Sequence, residues 1–425
     1  NLSSDKKYLY EAILRSMRDY RSAKSKAAQV KERLMDSEYL YERGLYSQSQ
    51  EQLTKAKELV IELEDQFMLL KITVDEQQFY AETRKQLFEE EFKELNLEKE
   101  ETLVKLSQEM KYLDLYIKLI IKVLQEFKLN DKESKDKLTA EISIDLLLAK
   151  NIPDSPRAQR RFYLCNAMYY RLLGEQDKVY DYSAKVVDWW DDHLALKTEE
   201  FHRYVVDVSN LINTCYQSGQ YLEEAQAYVN KLQGEKEGAS YQGQKIIFQK
   251  VSISNLLHHL NQGDFAAAEA TLPEIIEGMN QFGLKKSIVL VGNIATVYFI
   301  QGNYSQCLEW CTFLIENLKI GRRKDIFRIM RIYKIICFFE LGKLDELDSF
   351  RRSVQRYFRL EDLTNQNYEV KVNDIYLRKI INAPLSELSD EYQHFFNYLN
   401  EIKTKVGSDT PLGLDELIIW VKTHL

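Results

Sequence analysis

The sequence predicts an all-α protein built as a superhelical solenoid of repeated helical hairpins, and three observations lead there. Gly 15 and Pro 5 supply about 5% of the 425 residues, against roughly 12% in average usage, while hydrophobic residues reach 45%. Few breakers with ample apolar content means long helices. Next, Lys285 to Leu347 holds two consecutive copies of one pattern, Tyr298, Gly302, Cys307 and then Phe338, Gly342, Leu347. Each copy reads as an apolar helix, a Gly-centred turn and a second helix entered through Tyr304 or Leu344. Finally, the pattern recurs along most of the chain. One hairpin cannot bury its apolar face alone, so copies must stack on one another.

In chain order, Ser3 and Ser4 are expected to cap a first helix carrying Leu9, Ile13, Leu14 and Met17. A second helix over Lys24 to Arg43 ends at Gly44, which tolerates positive φ. Tyr46 opens a third, to about Glu64. From Asp65 to Phe127 the pattern stays helical, with one turn signal at Leu95 to Leu97; Glu89, Glu90, Glu91, Glu94, Glu98, Glu100 and Glu101 there read as a solvated acidic face. Asn130 to Lys137 is a loop or a helix start, and the prolines of Asn151 to Pro156 mark a soft boundary. Helices then run over 155–173, 176–193, 197–218, 221–233, 241–262, 265–282, 284–301, 304–319, 322–341 and 344–359. Pro273 predicts a kink. Helical stretches over 364–381 and 386–406 follow. Thr410 and Pro411 read as the N-cap and first position of a last helix, 412–423, suited to cap the array. The domains expected are 1–150, a helical region with one clear and two degenerate hairpins; 151–360, the regular repeats; and 361–425, a helical cap.

Six pairs of residues are separated by nine positions: Leu40 and Ser49, Tyr170 and Val179, Tyr216 and Ala225, His259 and Ala268, Tyr298 and Cys307, Phe338 and Leu347. Between them lie Gly44, Gly174, Gly219, Gly263, Gly302 and Gly342, four residues after the first anchor except in the third pair, where the offset is three. Three residues before the first anchors stand Ser37, Ala167, Asn213, Leu256, Ala295 and Ile335. This resembles the tetratricopeptide repeat, most closely at Ala295, Tyr298, Gly302, Tyr304 and Cys307. Successive anchors from Tyr170 are 46, 43, 39 and 40 residues apart, longer than that family's 34. In outline the whole chain is also similar to uncharacterised bacterial proteins of this repeat class. The resemblance implies a fold and no specific chemistry.

A net charge of −8 and a pI near 5.6 argue against a general nucleic-acid surface, which needs a basic face, and leave room for a local basic patch. Cys165, Cys215, Cys307, Cys311 and Cys337 lie in apolar helical stretches and read as reduced core thiols, which favours a cytoplasmic location. No apolar run reaches the length of a membrane span. The chain begins at Asn1, which leaves room for an upstream segment, a signal peptide included.

No phosphate loop, nucleophile elbow or HExxH motif occurs, so neither catalysis nor a cofactor is expected. Trp189, Trp190, Asp191, Asp192 and His193 read as a helix end with a buried Trp and solvated acids; adjacent His258 and His259 point apart; Cys307 and Cys311 would form only half a zinc site. Two surfaces suit binding. Asn166, Asn210, Asn213, Asn255 and Asn293 fall on first helices, which line the concave side of such arrays, and amides can hydrogen-bond the backbone of an extended peptide. Chance placement at exposed helix positions is the favoured account of them, since their offsets from the anchors differ. A basic patch gathers Lys324, Arg328 and Arg331 on one face, with Arg322, Arg323 and Lys334 nearby and Arg351, Arg352, Arg356 and Arg359 following; Asp325, Asp345, Glu346 and Asp348 would neutralise it. The expected function is a non-catalytic protein-interaction scaffold binding a protein or extended peptide. The alternatives are a peptide- or ligand-sensing receptor and, last, an enzyme with scattered residues.

Overall fold

A computed structural model describes residues 2–22, 25–83, 89–125, 129, 131–142, 144–148, 150, 152–320, 323–361, 363, 367–406 and 410–425. Among these every regular element is helical, and helices adjacent in sequence pack as hairpins. The chain divides into two compact units, Asn1–Thr214 and Cys215–Leu425, so the prolines at 153 and 156 lie inside the first unit and not at its edge. No helix is long and apolar enough to cross a membrane among the described residues.

The repeated glycines explain the hairpins. All six take positive φ, from +66° to +80°. In five of them the Gly N–H donates to the carbonyl three residues back and the next N–H reaches five back, to the first anchor: Leu45 to Leu40, Glu175 to Tyr170, Asp264 to His259, Asn303 to Tyr298 and Lys343 to Phe338. This paired closure is the Schellman turn. At Gly219 the N–H instead donates to Cys215, four back, the simpler left-handed cap. That difference accounts for the shorter offset in the third pair. Beyond each turn the second-helix residue is enclosed: Ser49, Val179, Ala225, Ala268, Cys307 and Leu347 are all buried. In the first hairpin the Ser37 and Ser49 hydroxyls lie 2.9 Å apart, each also within 3.0 Å of the other's carbonyl.

In the first unit α1 (Leu2–Ser22) precedes the hairpin of α2 (Lys26–Glu42) and α3 (Tyr46–Glu62). Next come α4 (Gln66–Thr83) and α5 (Glu89–Gln125), a helix of 37 residues. The turn expected at Leu95 to Leu97 is absent: Leu95 is buried inside continuous α5. Residues 84–88, between α4 and α5, lie outside the described residues. Asp131 caps α6 (Lys132–Glu141), and a 3₁₀ turn (Ile144–Leu147) leads to α7 (Pro156–Leu173), capped by Ser155. Then follow α8 (Gln176–Asp192), α9 (Leu194–Glu199) and α10 (Phe201–Ser218). The single helix expected over 197–218 is thus split at Glu200. The inserted α9 lengthens the spacing between the second and third anchors.

The second unit contains α11 (Leu222–Gly234), α12 (Tyr241–Gln262), α13 (Phe265–Gln281), α14 (Ile288–Ile300), α15 (Tyr304–Asn317), α16 (Lys324–Glu340) and α17 (Leu344–Leu360). Helix α13 runs unbroken with Pro273 inside it. After α18 (Tyr368–Lys371) a π-helical segment, Val372–Leu377, passes into α19 (Arg378–Asn382); α20 (Leu388–Val406) and α21 (Leu414–Lys422) close the chain. The last helix, with Gly413 (φ +87°) and not Thr410 at its N-cap, begins at Leu414 and not at Pro411. It also packs on α14 as well as on α20, and its Trp420 donates to Glu340 at the end of α16 (2.7 Å). Leu414, Leu417, Trp420 and Val421 join the core cluster that includes Leu290, Ile294, Ile329 and Tyr333. Helix α14, IVLVGNIATVYFI, is apolar on every side, as a helix covered on every side must be.

Candidate interaction surfaces

Helix α21 bears directly on where a partner could bind. In the second unit the first helices α14 and α16 are already covered by the chain's own C-terminal helix. In the first unit, α2 and α4 keep an open face. Residues Leu34, Ser37, Glu38, Tyr41 and Glu42 of α2 and Lys71, Asp75, Gln78, Phe79 and Glu82 of α4 line a groove of 340 Å³, with Ser49 and Leu53 of α3 beneath. The i, i+3, i+4, i+7 spacing on both helices places each set on one face. Its rim holds four carboxylates and one lysine, and Lys71 is engaged by Asp75 at 2.5 Å and Glu38 at 3.8 Å. Tyr41 donates to Glu82 and lies edge-on to Tyr46 (5.3 Å), with Phe79 at 6.0 Å. The Glu82 carboxylate beside it pushes the Tyr41 phenol up to about 12. The groove is therefore acidic with an aromatic wall, suited to lysine or arginine side chains.

Behind the groove, Lys57 bridges Glu76 (2.6 Å) on α4 and Glu98 (2.8 Å) on α5. Burial lowers the Lys57 pKa, but its hydrogen bonds to Glu76 and Glu98 outweigh this and leave it raised. Burial raises Glu76. Part of the acidic run on α5 is thus structural and not solvated: Glu98 also accepts from Thr73 at 2.9 Å.

The five asparagines do not form one row. Asn166 is fully buried, its amide donating to Phe162 O of its own helix (3.0 Å) and its Oδ1 enclosed without a partner, so it presents nothing to a peptide. Asn210 is exposed and Asn213 half-buried on α10. In the second unit Asn255 lines a 120 Å³ cavity with Phe248, Thr271 and Ile275, while Asn293 has an enclosed Nδ2 without a partner.

The basic patch separates in two. On α16, Lys324 pairs with Glu361 (2.6 Å), Arg328 lies 3.9 Å from Glu369, and Arg331 is buried, donating to Phe327 O (2.8 Å) beneath the Tyr357 ring (3.7 Å). Lys334 is buried near Glu316 (3.4 Å) and over Phe350. Arg323 binds Asp325, and Arg322 lies outside the described residues. Lys324 and Arg328 are thus answered by Glu361 and Glu369, which no local sequence signal marks, while Arg331 and Lys334 are enclosed by the fold. Arg352 and Arg356 on α17 remain exposed, as does Arg359.

A polar network joins α7, α8 and α10 in the first unit. Arg160 Nε donates to Asp207 Oδ2 (2.9 Å), Trp190 Nε1 donates to the same oxygen (2.8 Å), and the guanidinium stacks over Trp190. Trp189 and Trp190 are buried and Asp191 and Asp192 exposed; His193 stacks on Trp189 (4.1 Å). The cysteines are free and buried; burial pushes Cys165 and Cys215 up to about 12 and raises Cys307 and Cys337, which makes them poor nucleophiles. Among the described residues no group of three or more His, Cys, Asp or Glu is placed to hold a metal. No protein-family model matches the chain, and comparison with curated proteins and with solved structures returns no match.

Proposed function

We propose that the chain is a non-catalytic protein-interaction scaffold of tetratricopeptide-repeat type, whose first-unit groove between α2 and α4 takes an extended, basic segment of a partner protein. The observation that carries this reading is the groove itself: Glu38, Glu42, Asp75 and Glu82 around Tyr41 and Phe79, on the first helices of two successive hairpins. Extended segments are bound in helical-repeat grooves through side-chain pockets and backbone contacts. Here the carboxylates would select lysine or arginine, and the rings would pack on their alkyl stems. A partner's basic segment would associate faster at low salt, because steering by exposed charges is screened at higher ionic strength. The reading favours this groove over the asparagines, since Asn166 is enclosed.

Selection of displayed random peptides against the full chain tests it. Lysine- and arginine-rich sequences should be enriched, and Glu38→Lys with Glu42→Lys should abolish their binding while leaving the far-ultraviolet circular dichroism unchanged. Both glutamates are exposed, so folding is not at stake. Enrichment of acidic or purely apolar peptides, or binding indifferent to the double substitution, would reject the groove.

A further inference from the structure

The second half of the basic patch carries a different reading, independent of the peptide groove. Helix α17 runs antiparallel to the π-helical segment and α19: Gln355 donates to Asp374 (3.0 Å), and one and two turns further along, a cleft of 480 Å³ is lined by Asp348, Arg351, Arg352, Arg378, Lys379 and Asn382. It thus collects four cations against one lining carboxylate. Among the described residues Arg351, Arg352 and Arg378 form no ion pair; only Lys379 has a carboxylate, Glu391, at 3.7 Å. The neighbouring acid Asp374 is already held by Gln355 and Asn373.

Two features distinguish this cleft from a solvated charged surface. First, Nε and Nη1 of Arg351 are enclosed and find no acceptor. A half-enclosed guanidinium without a countercharge is costly, and an anion in the cleft supplies that charge through the accessible Nη2, since Nε and Nη1 are closed to an atom of water size. Second, Arg378 and Lys379 reach this face directly after a π-helical stretch. One extra residue in a helical turn rotates the remainder of the helix by about 100°, so the π turn decides which side chains of α19 meet α17. Such turns occur often at functional sites.

We infer that the α17–α19 cleft is a binding site for a single phosphate group, held by the forks of Arg352 and Arg378, by the accessible Nη2 of Arg351 and by Lys379 as a point charge. A phosphate offers three acceptor oxygens and up to two negative charges, where a carboxylate offers two and one. Two guanidinium forks, the Nη2 of a third and an ammonium match the former.

Isothermal titration of the full chain at constant ionic strength tests this with three probes: inorganic phosphate, a phosphoserine peptide with uncharged flanks, and sodium acetate. Phosphate, alone or on the peptide, should bind saturably at one site. Arg351→Gln or Arg378→Gln should weaken it at least about tenfold, the loss of one charge-assisted hydrogen bond, and Arg378→Lys should fall between. Tighter binding of the peptide than of free phosphate identifies a phosphorylated side chain as the source, and equal binding identifies a free phosphate; either supports the site. Acetate binding as well as phosphate, binding unchanged in Arg351→Gln and Arg378→Gln, or no saturable phosphate binding to the folded wild-type chain would overturn it.

Discussion

Replacing Asp207 by alanine should weaken the first unit more than any other single polar change there. Its Oδ2 accepts from both Arg160 and Trp190, and the side chain is almost wholly enclosed. Removing it strands a guanidinium that is itself largely buried and an indole N–H at 1% residue exposure. Breaking a buried pair from one side costs about 3–5 kcal/mol. The stranded Trp190 N–H overlaps with that loss and does not simply add to it, so about 4 kcal/mol is expected. For a unit of this size that lowers the melting temperature by roughly 8–16 °C. Urea and thermal unfolding followed by circular dichroism measure it. The double variant Arg160→Leu with Asp207→Leu should lose much less than the sum of the single losses, because it leaves no uncompensated charge. Burial pushes the Asp207 carboxyl above its usual range, with Arg160 and Trp190 opposing the shift. The folded state then holds the proton more tightly than the unfolded one, so this group's contribution grows as pH falls through its folded pKa and is lost above it. Asp207→Asn should flatten that slope. A loss below about 1 kcal/mol in Asp207→Ala would refute the view that this network joins α7, α8 and α10.

Other outcomes concern the turns and the C-terminal helix. Gly302→Ala forces a side chain into φ +70° with no close neighbour but Tyr304 at 4.0 Å, and should cost about 1 kcal/mol by equilibrium unfolding. Gly413→Ala adds a collision, since its Cβ would lie 2.2 Å from Ile329; a loss of about 3 kcal/mol is expected, and equal losses at the two sites would contradict the packing of α21. Burial raises the Glu416 carboxyl from the usual 4.5 to about 7, Asp415 adding to the shift and Lys403 opposing it. As the folded value is raised, stability should fall as pH climbs from about 4.5 to about 7, by at most about 3 kcal/mol, a ceiling because part of the side chain still meets solvent. Glu416→Gln should remove the slope, which urea titrations across that window would show.

The hairpins were legible because their signals are local. A glycine at positive φ, an anchor whose carbonyl closes the turn and a small or apolar residue nine positions on all lie within ten residues. Even the one irregular offset, at Gly219, reports a different turn closure. The features that escaped the sequence depend on partners far along the chain. Nothing near Asn166 says that its helix turn faces inward. Nothing near Arg331 says that Tyr357 covers it. Nothing near Glu200, where α9 gives way to α10, marks its ion pair to Arg157, and nothing near the apolar α14 names α21 as its cover. Of the candidate sites, the sequence marked the arginines of α17 but not the peptide groove, whose carboxylates and aromatics meet only when α2 and α4 lie side by side over α3. Nor did it mark the phosphate cleft, since Arg378 and Lys379 join Arg351 and Arg352 only across two helices and past a π turn.

The most direct measurement of the scaffold reading is fluorescence anisotropy of a labelled lysine- and arginine-rich peptide, taken from the displayed selection, titrated with the wild-type chain and with the Glu38→Lys, Glu42→Lys variant. Saturable binding that weakens with added salt and vanishes in the variant is the predicted result. Wild-type and variant curves that superimpose would contradict it.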